Sequence, residues 1–381
     1  MARYKVEMEI LSPFHIGGEG RELGTMEFLR DREWVYLINE DRLVRALNDE
    51  GLTAGFLSYL GGDYRPNLFR FFQSLPRRKA ESLRAAISSR RIKHKIKGHF
   101  FSLRPQQWDM VGNRPVIPGS AVKGALRNLI LYLYCTEDEA LRKGAAKAVA
   151  NRNNPKTVAR FLEEDVFSQA HIPGARQGPH RDWFRTLQIS DFHTEDPDCT
   201  EVVEVKVVSL NKEKGFHFSL DRRDRRGERQ VSVFLETIAP GTIFTGTITF
   251  PPFLQGLFRA FPGGRGIFTP LELFSRLKEK TAALLTEERV FFQHAGLKGV
   301  VDDLLGLEGR GANLRLGWGT GLLTMTISQA LRGQERLNLG QKFYKARHPG
   351  VFPRSRKVVM QEGIEPCTTL GWVKVQISPA D

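Results

Sequence analysis

The residues whose types and spacing bear on chemistry fall in three short strings. The first is Ile117-Pro118-Gly119-Ser120-Ala121-Val122-Lys123-Gly124-Ala125-Leu126-Arg127. A glycine turn into a helix exposes backbone N–H groups at the positive end of the dipole, a standard phosphate site. Ser120 stands where a cap is expected, and Lys123 and Arg127, four apart, share a face and add charge on the next turns. Gly119 and Gly124 leave room for another backbone to approach. Taken as physics alone, the string fits an ordinary capped helix equally well.

The second string is Arg315-Leu316-Gly317-Trp318-Gly319-Thr320-Gly321. Its alternate glycines let the backbone curve round a ligand, with Trp318 free to stack or pack, but it is neither G-x-G-x-x-G nor a P-loop. A tight bend between core elements accounts for it as well. The third, Phe352-Pro353-Arg354-Ser355-Arg356-Lys357, is a short basic turn of a kind usually solvated.

Catalytic and metal groupings are not evident. His15 follows the first strand, where an imidazole is able to act as general base on a 2'-hydroxyl, yet a lone histidine there is more often structural or phosphate-contacting. His94 and His99, and His171 and His180, lack the carboxylate or thiolate partners of a zinc site. Cys135, Cys199 and Cys367 are odd in number and far apart, which argues against a disulfide framework and for a reducing cytosol. No catalytic residue, metal or cofactor is expected.

The elements that must position these strings follow from periodicity. Tyr4–Ile10 alternates as a half-buried strand, and Met26–Leu29 and Trp34–Ile38 flank a turn as a hairpin. Leu43, Ala46 and Leu47 mark a helix that Asn39 or Asp41 caps. Residues 65–104 contain helical stretches such as Arg77–Arg91 and no sheet-like alternation, so they read as an insertion. Val122, Leu126, Leu129, Ile130 and Leu133 form one helix face with Ser120 as its cap. Strand patterns return at Leu187–Ile189, Val202–Leu210, Val231–Ile238, Ile243–Phe250 and Gly371–Ile377, and helical ones at Glu272–Leu285 and Val290–Leu305. This order predicts an α+β fold with helices on an antiparallel sheet. It divides as a core over 1–328, carrying helical insertions at about 50–112 and 252–308, and a basic C-terminal region over 329–381.

The 381 residues carry 57 Lys and Arg against 43 Asp and Glu, a formal charge of +14, and 41% hydrophobic residues, enough for a real core. No apolar run is long enough to span a membrane, and the N-terminus does not read as a signal peptide. The charge is local. Residues 65–104 hold twelve cationic side chains against Glu81, and 331–360 hold eight against Glu335, so the remainder is slightly acidic. Two such blocks are an electrostatic footprint for a polyanion. The first is interleaved with Phe69, Phe71, Phe72, His99, Phe100 and Phe101, types that stack on unpaired bases or simply fill a core.

VIPGSAVKGALR at 116–127, LSPFHIGG at 11–18, LQISDF at 187–192, NLRLGWGTG at 313–321, PRSRKV at 353–358 and LGWVKV at 370–375 stand in a fixed order along the whole chain. In that order they resemble the RAMP superfamily of CRISPR effector proteins, most closely the fifth-subunit family of type III-A (Csm) complexes. The resemblance implies a ferredoxin-like (RRM-like) core in a cytoplasmic protein of antiviral defence. Its implied partners are the guide (CRISPR) RNA, the other Csm subunits, above all the repeated backbone subunit, and a recruited trimming nuclease. It implies a place near the 3' end of the guide, capping the backbone filament and supporting guide maturation.

Carried over by motif, Gly119, Ser120, Lys123 and Arg127 would contact guide phosphates. Arg315 with Gly317, Trp318 and Gly319 would lie against RNA or a neighbouring subunit. His15, Arg354, Arg356 and Lys357 complete the implied RNA-binding set. The backbone subunit of the family cuts target RNA with a loop Asp, whereas residues 17–28 here hold Glu19, Glu22 and Glu27 but no Asp. The expectation is a non-catalytic binding subunit, with a RAMP-type endoribonuclease as the alternative.

Overall fold

The computed structural model describes residues 2–17, 21–62, 66–151, 154, 160–168, 181–211, 215–220, 230–251, 268–344 and 352–380. The alternation at the N-terminus is the strand Ala2–Ile10, in which Val6, Met8 and Ile10 are fully buried. It lies between two antiparallel neighbours, Ile243–Phe250 and Trp372–Pro379, with Met8 opposite Phe244 on one side and Val375 on the other. Leu314–Arg315 extends this sheet beyond Trp372–Pro379, and Phe192–His193, Arg114–Ile117 and Trp108–Asp109 extend it the other way.

The helix Gly119–Glu137 covers the sheet. Its Val122, Leu126, Leu129 and Ile130 share one cluster with Val6, Met8 and Ile10, the apolar stripe of a helix laid on the apolar face of a sheet. A second sheet is built round Thr200–Asn211, which pairs antiparallel with Ser355–Gln361, Gly215–Phe218 and Ser232–Ile238. The hairpin Phe28–Arg30 and Trp34–Ile38 joins it through Ser88–His94. The C-terminal region thus supplies strands to both sheets.

Sequence and structure differ in four places. The predicted helical run to Arg91 stops at Ile87, and Ser88–His94 is a strand, antiparallel to Trp34–Ile38 and parallel to Thr200–Asn211 at Lys93 and His94. Only Ile92 and His94 face fully inward along it, a thin apolar signal among cations. Ser120 does not cap its helix; it is exposed within the first turn, and Pro118 takes the cap position. The expected helix Val290–Leu305 breaks at Gly296, whose φ of 70° separates Leu277–His294 from Lys298–Gly309. Of the aromatics expected to stack on bases, Phe71, Phe72 and Phe100 are core residues. Asn39 does cap Glu40–Asp49, accepting from the Arg42 amide. Residues 252–267, His171, His180 and Glu19 lie outside the described residues.

Gly371 locks the glycine-rich loop to the loop after the N-terminal strand: its amide donates to Pro13 O at 3.1 Å and its carbonyl accepts from Leu316 N at 3.0 Å. Its φ is 86°, and a Cβ there would stand 2.3 Å from Leu316 O. Gly371→Ala is expected to destabilise the protein by about 2 kcal/mol or more, seen as a lower urea midpoint with an unchanged m-value.

Candidate nucleic-acid interface

A groove of about 800 Å³ opens between the loop after the first strand, the helices Gly119–Glu137 and Leu277–His294, and the glycine-rich loop. Ala121, Gly124 and Ala125, at helical spacing, give it a smooth wall of small side chains, and the space before Gly124 is open. Lys357 enters from the strand Ser355–Gln361 of the second sheet, and Arg104 from the segment between Ser88–His94 and Trp108–Asp109.

Trp318 sits in the groove at the tip of the glycine loop. Its amide donates to His15 O at 2.8 Å, and its indole lies beneath two cations, with Arg104 at 5.3 Å and Lys357 at 4.8 Å from the ring centroid. Gly317 has φ 98°, and a Cβ there would stand 2.7 Å from His15 O, so this glycine is required by the protein's own backbone. Arg104 is paired with Glu22 at 2.6 Å. Lys357 makes no ion pair among the described residues. Burial, then repulsion from Arg104 and Arg315, holds its ammonium below the ordinary lysine value. A partly desolvated cation beside an aromatic face is a strong recognition element for phosphate and base together.

Of the expected contact residues, the structure gathers His15, Arg315, Gly317, Trp318, Gly319 and Lys357 round this groove. Four cations of the expected set, Lys123, Arg127, Arg354 and Arg356, do not line it. Lys123 donates to Leu187 O at 2.6 Å, and Arg127 pairs with Asp182 at 2.7 Å and Glu163 at 3.3 Å while stacking on Phe167. The helix N-terminus is likewise satisfied internally, because the Gly119 amide donates to Asp191 Oδ1 at 2.8 Å and a Cβ on Gly119 would strike Ile189 O. In this string Arg127 is neutralised by Asp182 and Glu163, and Lys123 is engaged by a backbone carbonyl. Arg354 and Ser120 are exposed.

Arg315 and Arg356 are buried. Both address the fully buried Glu288, Arg356 Nε at 2.6 Å and Arg315 Nη1 at 3.6 Å. Arg315 stacks on Trp372 and donates to Leu370 O, and Arg356 stacks on Phe291 and donates to Pro353 O. The expectation that Arg356 touches RNA is corrected by this geometry, and Arg315 reaches the groove only as part of its floor. Periodicity left no sign of either pairing.

His15 is buried, and its Nδ1 lies 2.7 Å from Glu236 O. Burial lowers its pKa below the ordinary value, so the ring is neutral and fixed by that carbonyl. Glu22 and Glu27 are both ion-paired, to Arg104 and Arg21. Among the described residues no group of three His, Cys, Asp or Glu is placed to hold a metal. Burial pushes the Cys199 thiol up to about 12, far from a reactive thiolate.

Lys280, which reasoning from sequence missed, lines the groove floor. Its Nζ donates to Thr324 O at 2.9 Å, Thr326 O at 3.1 Å and the Asn128 side chain, closing the C-terminus of Gly321–Met325. Burial pushes this amine down to about 7, against three oxygens that favour the ammonium.

A mixed helix-and-sheet chain, its N-terminal strand clasped between two antiparallel partners and its glycine loop folded onto the loop after that strand, is the build of a RAMP protein. The RAMP superfamily model matches residues 7–323, and the chain belongs to that superfamily. Its particular fold is that of type III-A subunits. A chain of a Csm–crRNA–target RNA ternary complex from a type III-A CRISPR-Cas system superposes with a TM-score of 0.70 at 21% identity, covering 98% of this chain and 100% of the other. The crystal structure of T. onnurineus Csm5 superposes at 0.63 with 20% identity, covering 96% and 99%. No curated protein sequence matches the chain. No described helix is long and apolar enough to cross a membrane.

Two outcomes follow. Glu288→Ala leaves two buried guanidinium groups without their carboxylate and is expected to lower stability by about 3–5 kcal/mol in thermal or urea unfolding. For Lys280, the folded-state pKa of about 7 lies below the ordinary 10.5. The unfolded chain then binds more protons between those values, so the stability associated with the neutral amine is full above 10.5 and lost as pH falls to about 7. Wild type compared with Lys280→Met should show this as a slope of up to about 1.4 kcal/mol per pH unit, absent in the variant.

Proposed function

We propose that this protein is a non-catalytic subunit of a type III-A CRISPR effector complex, in which the groove carrying Trp318 binds guide RNA. The observation that carries this reading is the Trp318 indole beneath Arg104 and Lys357 on an open groove, in a fold matched end to end by subunits of such complexes. Lys357 and Arg104 take the phosphate and Trp318 the base, while the exposed Arg354 and Ser120 add contacts at the margin. Gly317 and Gly319 shape the loop that presents the indole. The position proposed is the 3' region of the guide, at the end of the backbone filament, where the subunit supports guide maturation and the docking of a trimming nuclease in the cytoplasm.

The ribonuclease alternative is the weaker reading on chemical grounds. A general base must be placed beside the hydroxyl it deprotonates. His15 commits one nitrogen to Glu236 O and is almost wholly buried, and the loop acids Glu22 and Glu27 are committed to arginines.

RNA binding by the purified protein tests this. Lys357→Ala is expected to weaken binding of single-stranded guide RNA and to lower the salt slope by about 0.7, the value for one phosphate. Trp318→Ala weakens binding while leaving the slope nearly unchanged, since stacking releases no counterion. Lys123→Ala and Arg127→Ala leave the slope unchanged. Cleavage of repeat RNA by the wild type, abolished in His15→Ala, would overturn the non-catalytic reading.

A further inference from the structure

The cationic block at 65–104 is only partly explained by the fold. Arg90 is bound to Glu236, Arg84 to Asp31, Arg77 to Glu81, Lys79 to Glu50 and Lys97 to Glu362. Arg78, alone on its helix, and three cations close together in the chain, Arg91, Lys93 and Lys95, make no ion pair among the described residues. The last three are alternate residues, and from Arg91 to Lys97 exposure alternates strictly with the buried Ile92, His94 and Ile96. Arg91 and Lys93 therefore project from one face of the second sheet, about 6.6 Å apart, and Lys95 continues the alternation one residue past the end of the strand. That spacing is close to the separation of successive phosphates along an extended single strand. Trp34, cross-strand from Lys93, lies under Arg91 at 4.4 Å and Lys93 at 5.6 Å.

The row leads into a second groove of about 680 Å³, distinct from the first, which Lys95, Lys97 and His99 line together with Phe69 and Phe101. Phe101 is 59% exposed and Phe69 38%, whereas Phe71, Phe72 and Phe100 nearby are core residues. An exposed phenylalanine beside unpaired cations has no packing role of its own. Of the nearby carboxylates, Asp31 holds Tyr36 and Arg84, Glu362 holds Lys97 and also faces Lys95, and Glu201, its pKa raised by burial, faces Lys95 without pairing to it.

We propose that Arg91, Lys93 and Lys95 form a second track for single-stranded RNA, on which phosphates follow the strand and an unpaired base enters the groove against Phe101. A duplex fits it poorly, because base faces reach Phe101 only when they are unstacked. The track is separate from the Trp318 groove and does not depend on that groove's assignment.

The test uses the full chain carrying Lys357→Ala and Trp318→Ala, so that binding at the first groove is already weakened, with a fluorescein-labelled oligouridine as probe. Binding should persist in this background. Adding Arg91→Glu, Lys93→Glu and Lys95→Glu should then weaken it by at least about tenfold and lower the salt slope by about two, given roughly 0.7 per phosphate. Phe101→Ala alone should weaken it by about fivefold or more with the slope unchanged. All four side chains are exposed, and an unchanged thermal midpoint verifies folding. Affinity and slope unaltered by the triple change would overturn the track. So would loss of polyglutamate binding with oligouridine binding intact, which would make the face an acidic-protein contact. Loss of all RNA binding on changing Lys357 and Trp318 alone would overturn the track while upholding the first groove.

Discussion

The buried carboxylate of Glu288 holds together the parts that form the groove. Taking three charges out of water is expensive, and such a cluster persists only where geometry and further hydrogen bonds offset the desolvation. Here Arg356 meets the carboxylate at 2.6 Å and Arg315 at 3.6 Å, each guanidinium stacks on an aromatic ring, and each donates to a backbone carbonyl. The three residues come from the helix Leu277–His294, the short strand Leu314–Arg315 and the strand Ser355–Gln361. Arg315 is three residues before Trp318, and Arg356 is next to Lys357. Fixing the two arginines inside therefore fixes the indole and the ammonium outside.

A second buried carboxylate does the same for the other half of the molecule. Glu236 is fully buried, grips Arg90 with both oxygens, and accepts from the Gln106 amide at 3.0 Å, while its own carbonyl meets His15. It joins the strand Ser88–His94 to the segment bearing Arg104 and to the loop after the first strand. The same joint explains why His15 is a poor base: the ring is oriented by the backbone for packing against the glycine loop.

Much of the fold was legible in the sequence: the period-two alternation at Tyr4–Ile10 reappears as alternating burial along that strand, and the β-rich runs at Val231–Ile238 and Ile243–Phe250 are strands although their burial alternates little. Ser88–His94 was not, because its outward side carries Arg91 and Lys93 and only Ile92 and His94 mark the inward one. At the candidate site, the glycine loop and Trp318 stood out in the sequence, whereas which cations are ion-paired did not. Arg127 finds Asp182 fifty-five residues on, and Arg356 finds Glu288 sixty-eight residues back. Nothing local in a run of basic residues distinguishes an arginine with a distant carboxylate from one without. Arg104 was visible only as the last member of its basic block, and Lys280 as one more lysine on a helix.

Both cationic surfaces arise from one arrangement. Arg90-Arg91 and Arg356-Lys357 are adjacent cations on strands, where neighbouring side chains point to opposite faces. In each pair the first turns in to a buried carboxylate, Glu236 or Glu288, and the second turns out and makes no ion pair among the described residues. The inward arginine is neutralised and rigid. The outward cation inherits that rigidity without sharing the neutralisation, and so presents its charge at a fixed place with little conformational freedom left to lose on binding. A net charge of +14 thereby becomes two positioned rows of charge rather than a diffuse positive surface.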